Sequence, residues 1–159
     1  MEQSFMTEEL DRTDRRILRL LQKDGRMANA DLARKVNISA ATCHRRTQRL
    51  FDAGCIRAVR AQVAPAAVDL STLAMVGVVL DRSTSDSFAA FEQAVSETPE
   101  VLDCHLVAGD FDYFLKIRVR DMEHFNRLHA ARLIALPGVR QTRTFFVMKE
   151  VVDNRPLDI

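Results

Sequence analysis

Between Ser39 and Arg49 the chain reads Ser-Ala-Ala-Thr-Cys-His-Arg-Arg-Thr-Gln-Arg, a stretch whose side chains suit contact with a polyanion. At about 100° per residue, Cys43, Thr47, Leu50 and Phe51 share one helical side. Ala41, His44, Arg45, Gln48 and Arg49 then point the other way, with Thr42 and Arg46 flanking. Arg and Gln are the side chains that read guanine and adenine edges bidentately. Ser39, Ala40 and Ala41 make a slim leading edge, and a helix N-terminus favours a phosphate oxygen. The plain alternative is a solvated charged face on a bundle helix. Such faces usually mix signs for i,i+4 support, and here Asp52 is the nearby acid along the chain.

A second cluster is Gly109-Asp110-Phe111-Asp112-Tyr113. Gly-Asp is an ordinary hairpin signal, and Phe111 and Tyr113 read equally well as sheet residues. The paired carboxylates add another possibility. Asp110 or Asp112 could accept an α-ammonium group while turn N–H groups take an α-carboxylate, which would hold a free amino acid by both charges. Other reactive residues suggest less. Cys43, Cys55 and Cys104 lack Cys-x-x-Cys spacing and read as small buried hydrophobes. His124 and His129 are five apart, off a common helical face. No metal and no cofactor are expected. An enzyme using Asp110, Asp112 and His105 would lack a clear nucleophile and a phosphate-cradling glycine loop, so none is expected.

The elements that must position these groups follow from periodicity. A first helix runs from Asp11 to about Lys23, with Ile17, Leu18, Leu20 and Leu21 as its stripe and Leu10 as a staple before the cap. Asp24-Gly25 ends it. A second helix, capped by Asn29, carries Leu32, Ala33 and Val36, breaks at Asn37-Ile38, and hands over to a third capped by Ser39 and stopped by Gly54. This is the shape of a helix-turn-helix. Cys55–Val63 reads as a short strand, a wing whose Arg57 and Arg60 suit phosphate contact. Ala64-Pro65 opens a connector to Ser71. Beyond it come a strand (Thr72–Leu80), a helix from Ser83 to Glu97 capped by Ser83 or Ser85, and a strand (Val101–Ala108). A strand of alternating character (Phe111–Arg120), a helix (Met122–Ala135) and a last strand (Val139–Glu150) complete the order. The fold class is α+β: a winged helix-turn-helix at 1–63, a linker at 64–71, and a ferredoxin-like βαββαβ domain at 72–159. Two helices cover one sheet face, and the other, left bare, argues for a dimer.

Charge supports the division. Of a net +1, residues 1–62 carry 13 Lys+Arg against 8 Asp+Glu, and residues 63–159 carry 10 against 14, so +5 faces −4. A basic half suggests a polyanionic partner. No apolar run approaches the roughly 20 residues that span a bilayer. The acidic start, MEQSFMTEEL, lacks a signal-peptide pattern, so a cytoplasmic, nucleoid-associated protein is expected.

The segments LDRTDRRILRLLQKDGR, DLARKVNIS and CHRRTQRLFDAGCI resemble the N-terminal half of the Lrp/AsnC transcription factors. VLDCHLVAGDFDYFLKIRVRDM and LPGVRQTRTFFVMKEV continue the resemblance, so it spans about Leu10 to Glu150, nearest the leucine-responsive branch. It implies a regulator that binds double-stranded DNA, responds to a free amino acid (leucine or another apolar one first), and assembles from homodimers into a higher oligomer, commonly an octamer. It implies an effector site in the RAM-type domain at Gly109, Asp110, Asp112 and Tyr113, with Val107 before the turn and Leu136, Thr144 and Phe146 in the remaining wall. The chain departs from the branch at Ala41-Thr42, His44, Arg45 and Thr47, so the operator sequence does not carry over. The Phe145-Phe146 pair is bulkier than an aliphatic one. The rival from another class is an architectural protein that organises DNA and ignores metabolites.

Overall fold

The computed structural model describes residues 9–81 and 84–159. The chain forms two compact units. The first consists of residues up to Gln62 together with Val152–Ile159, and the second of Val63–Val151.

In the first unit α1 spans Arg12–Lys23, α2 Asn29–Val36 and α3 Ala40–Asp52. Asp11 caps α1 by accepting from the Asp14 N–H (2.8 Å), and the Asp14 carboxylate returns a bond from the Asp11 N–H (3.3 Å). This reciprocal box satisfies two N–H groups that a helix start leaves orphaned. Ile17, Leu32, Ala33, Val36, Cys43 and Leu50 form the core, with Leu10, Leu18, Leu20 and Leu21 packed against it. Between α2 and α3, Asn37 takes the left-handed conformation (φ 60°), and the Ile38 N–H bonds back to the Ala33 carbonyl at 3.1 Å. Ser39 then caps α3, its Oγ accepting from the Thr42 N–H at 3.2 Å.

Three sequence expectations change here. Asn29 is the first helical residue of α2 rather than its cap, Ala28 preceding it. The Asn29 amide instead donates to the Ala40 carbonyl at 2.9 Å, tying the two helices together. The strand expected at Cys55–Val63 is an extended arm that pairs with no strand among the described residues. A lone strand gains no ladder bonds. The arm is seated instead by Val59, whose Cγ1 would lie 2.8 Å from a Cβ on Gly25. The helix-turn-helix is thus three helices and an unpaired arm. Finally, Val152–Ile159 packs with the first unit: Leu157 and the Gln22 amide exchange two bonds (2.7 and 3.2 Å), and Arg19 donates to the Ile159 carbonyl. The tail's polar, proline-containing sequence has no periodicity to reveal this.

The second unit begins with a single 3-10 turn, Pro65–Val68. Then follow β1 (Thr72–Leu80), α4 (Ser85–Ser96), β2 (Val101–Leu106), β3 (Tyr113–Val119), α5 (Met122–Ala131), a 3-10 turn (Leu133–Ala135) and β4 (Val139–Phe146). The sheet is antiparallel in the order β2-β3-β1-β4, the expected βαββαβ arrangement. Thr84 caps α4 in a reciprocal pair with Ser87, so Ser85 is helical, and Ser83 lies outside the described residues. Ala74, Val76, Val78, Leu80, Tyr113, Leu115, Ile117 and Val119 bury one sheet face against Phe91, Val95, Phe125 and Leu128 of the helices.

Phe111 departs from the expected alternation. Strand β3 starts only at Tyr113, and the Phe111 ring lies over Gly77 on the face away from the helices. A Cβ at Gly77 would sit 2.6 Å from that ring, so only glycine admits it. Phe114 and Phe145 complete an aromatic cluster there, with ring centroids 5.1 and 6.3 Å from Phe111. Overpacking of this kind costs about 1–3 kcal/mol. Gly77→Val should therefore lower the unfolding free energy measured by urea titration by that amount, and adding Phe111→Ala should recover most of it. Additive losses would show that the two residues do not touch.

Candidate DNA-reading helix and ligand turn

On α3 the slim edge expected from the sequence is present: Ser39, Ala40, Ala41, His44, Arg45 and Gln48 are exposed and Thr42 is half-buried. Gln48 donates to Asp52 at 2.9 Å, one turn along the helix. Arg57 and Arg60 are exposed on the arm.

Arg49 is different. Its Nη2 donates to Asp14 Oδ2 at 2.5 Å. The Arg46 Nη1 donates to Asp14 Oδ1 at 2.9 Å and to Asp11 Oδ2 at 2.6 Å. Asp14 is fully buried. A buried carboxylate needs matching charge and hydrogen bonds, and these two guanidinium groups supply both. Arg49, expected to point outward, keeps a side chain that is 42% exposed, but its guanidinium is tethered to Asp14 of α1, an acid far from Asp52 along the chain. Local sequence shows no such pairing because the partners lie 32 and 35 residues apart. The accessible signal was the Asp-x-x-Asp box at the start of α1. The Asp11 carboxyl is held below its usual range by the Asp14 N–H and then by Arg46, and Arg46 in turn is held above its own.

In the second unit the turn after β2 is pinned at both ends. The Val107 N–H donates to the Asp112 carbonyl (2.9 Å) and the Asp112 N–H to the Val78 carbonyl (2.9 Å). The Asp112 carboxylate accepts from the Leu80 N–H at 2.8 Å, so this acid braces the turn against β1. Gly109 has φ 145°, with open space where a Cβ would be, and Asp110 is exposed. The N–H groups of Gly109 and Asp110 donate to no acceptor among the described residues. Of the sequence-expected set, the turn thus leaves Gly109 and Asp110 open, with Val107 half-buried beside them.

The remaining residues are not gathered there. Tyr113 is buried beneath α4, between Phe91 (4.6 Å) and Phe88 (5.8 Å), and its hydroxyl donates to Glu92 at 2.7 Å. Burial, then that carboxylate, pushes its pKa up. Leu136 belongs to the buried core. Thr144 pairs with Val76 on β1, and Phe146 packs its ring 5.0 Å from Phe125 of α5. The chain alone therefore presents a turn rather than a closed pocket. Sequence reasoning also missed a small cavity of about 250 Å³ lined by Glu92, Val95, Ser96, Cys104, Leu106 and Tyr113. In it burial, then Glu92, raises the Cys104 thiol to about 11.

The described residues thus hold a helix-turn-helix and a ferredoxin-like unit with an open glycine-aspartate turn, the parts of a DNA-binding regulator. Comparison with known proteins agrees. Residues 10–50 match the AsnC-type helix-turn-helix domain and residues 73–157 the Lrp/AsnC ligand binding domain. The leucine-responsive regulatory protein of Klebsiella pneumoniae is 44% identical over 151 residues, 95% of this chain and 92% of that one. A transcriptional regulator from Neisseria meningitidis, solved as an L-Met complex, superposes with a TM-score of 0.88 at 35% identity, covering 94% of this chain and 96% of that one. The feast or famine regulatory protein from M. tuberculosis, complexed with L-methionine, gives 0.82 at 28%, covering 92% and 97%. The chain belongs to the Lrp/AsnC family of transcription regulators. It is a DNA-binding regulator, as its relatives are, and not an enzyme.

Asp14→Ala leaves Arg46 and Arg49 without their shared counter-charge. Arg46 keeps Asp11 and Arg49 is partly exposed, so what is lost is charged hydrogen bonding worth about 1.5–3 kcal/mol. The thermal midpoint of the helical unit should fall accordingly, and an unchanged midpoint would contradict the arrangement. Asp11 adds a pH dependence. Its folded pKa lies below the unfolded value, so its contribution is present above about pH 4 and is lost as pH falls through the folded pKa. Asp11→Asn should flatten that part of the acid limb in a melting series from pH 6 to pH 2.

Proposed function

We propose that the chain is a sequence-specific regulator of amino-acid metabolism that reads DNA with the exposed edge of α3 and senses a free amino acid at the Gly109–Asp110 turn. The observation that carries the DNA half is the exposed row His44, Arg45 and Gln48 behind the slim, Ser39-capped lead-in. His44, Arg45 and Gln48 face base edges. Ser39, Ala41 and Thr42 allow close approach, and Arg57 and Arg60 on the arm meet phosphates.

Support for the effector half is the pair of open N–H groups beside the Asp110 carboxylate, one end for an α-carboxylate and the other for an α-ammonium group. Two structural neighbours were solved with methionine. An apolar amino acid, leucine or methionine first, fits that reading. Val107 flanks the turn, and Asp112 holds its shape. Tyr113, Leu136, Thr144 and Phe146 act from beneath, as the sheet and core that support the turn.

The aromatic face of Phe111, Phe114 and Phe145, with Met75 beside it, is the surface on which a second copy would pack, and further dimers would build a ring, an octamer by family habit. Among the described residues no helix is long and apolar enough to cross a membrane. A cytoplasmic place on the nucleoid suits a DNA reader.

A thermal-shift screen against the free amino acids tests the sensing half. A ligand at about 100 times its Kd adds roughly 2.7 kcal/mol. One apolar amino acid should raise the midpoint in the wild type and fail to do so in Asp110→Ala. No shift with any amino acid would replace this half with the architectural role.

A further inference from the structure

We propose that Asp14 is a positioning residue for DNA reading: it tethers the guanidinium groups of Arg46 and Arg49 to its buried carboxylate and sets the rotation of α3 about its own axis, leaving Arg45 to discriminate. This rests on the DNA reading proposed above and adds to it which of the three neighbouring arginines carries the information.

The geometry has three parts. Asp14 has no solvent exposure, and both its carboxylate oxygens are occupied, Oδ1 by Arg46 and Oδ2 by Arg49. Arg46 and Arg49 are three residues apart, so two bonds to one carboxylate fix a helical face and not merely a point on it. Asp11 takes a second bond from the same Arg46 nitrogen, and Asp11 and Asp14 are themselves locked as the cap of α1. The two acids and two arginines are thus a strut from the first turn of α1 to the middle of α3. Arg45 falls about 100° around the helix from Arg46 and is exposed; it shares a face with Arg49, four residues on, and differs from it in that the Arg49 guanidinium is bonded to Asp14.

Charge gives this a functional consequence. A guanidinium that reaches DNA adds non-specific affinity, and each phosphate neutralised steepens the salt dependence by about 0.9 in log–log slope. Two arginines held on buried carboxylate oxygens add little of that, so the discriminating contacts weigh more. Asp14 acts as a specificity device by subtraction, at no cost in positive residues that the fold itself uses.

The test uses the full-length protein, a duplex enriched by the wild type from a random-sequence pool, and a scrambled duplex of equal length. Asp14→Asn keeps the shape and one acceptor but removes the charge. It should bind the scrambled duplex more tightly, steepen the salt slope by one to two contacts, and cut the preference for the enriched duplex about tenfold. A purely structural role would lower the melting midpoint and leave slope and preference unchanged for the folded protein, and that result overturns the proposal. If Asp14→Asn does not fold by circular dichroism, Arg49→Met decides. It should leave the slope as in the wild type, while Arg57→Met lowers it by about one contact. Equal losses from Arg49→Met and Arg57→Met also overturn it. Should the wild type enrich no duplex at all, the DNA reading itself fails and the proposal falls with it. Wild-type enrichment with an inert Asp14→Asn sinks the proposal alone.

Discussion

A carboxylate buried away from water must be answered by charge or by protonation, and Asp14 is answered twice. Much of the first unit depends on that requirement. It ties α3 to α1, it holds the guanidinium groups of Arg46 and Arg49, and it reinforces the cap that starts α1. The apolar core of Ile17, Leu32, Val36 and Leu50 supplies most of the burial, but apolar contact is non-directional and would tolerate a rotated α3. A shared ion pair does not. The hydrogen-bonded cluster therefore turns a stable three-helix core into one with a defined outer face, which a base-reading helix needs.

The second unit meets a different constraint. Its sheet has one face sealed by α4 and α5 and the other carrying Phe111, Phe114 and Phe145. Gly77 is what lets Phe111 lie flat on that second face. With Phe111 so placed, β3 begins at Tyr113, and the N–H groups of Gly109 and Asp110 donate to no acceptor among the described residues. Asp112, bonded to the Leu80 N–H, keeps the turn from collapsing. The packing of Phe111 on that sheet face depends on one missing side chain.

Much of this was legible in the sequence. The three helices, the Asn37–Ser39 break and the βαββαβ order all follow from local periodicity and caps, and β1 was placed at its observed bounds. What escaped was non-local or lacked a partner. The wing strand is not formed because residues 55–63 have no strand to pair with among the described residues, which strand propensity does not encode. The pairing of Arg49 with Asp14 is not readable locally because the two lie 35 residues apart. Phe111 broke the alternation because of Gly77, a residue on another strand. Tyr113, Leu136, Thr144 and Phe146 rest on resemblance rather than on chemistry within the chain, and within the single chain they lie in the sheet and its core.

The central claim is that DNA and a free amino acid act on one regulator through a shared equilibrium. Coupling of that kind is reciprocal. The direct measurement is calorimetric titration of the amino acid found by thermal shift into the free protein and into the protein saturated with its enriched duplex, set beside DNA affinity measured with and without that amino acid. The account predicts that the two ratios differ from one and agree with each other. Identical amino-acid affinities in the presence and absence of DNA would contradict it, leaving two units that bind their ligands without informing one another.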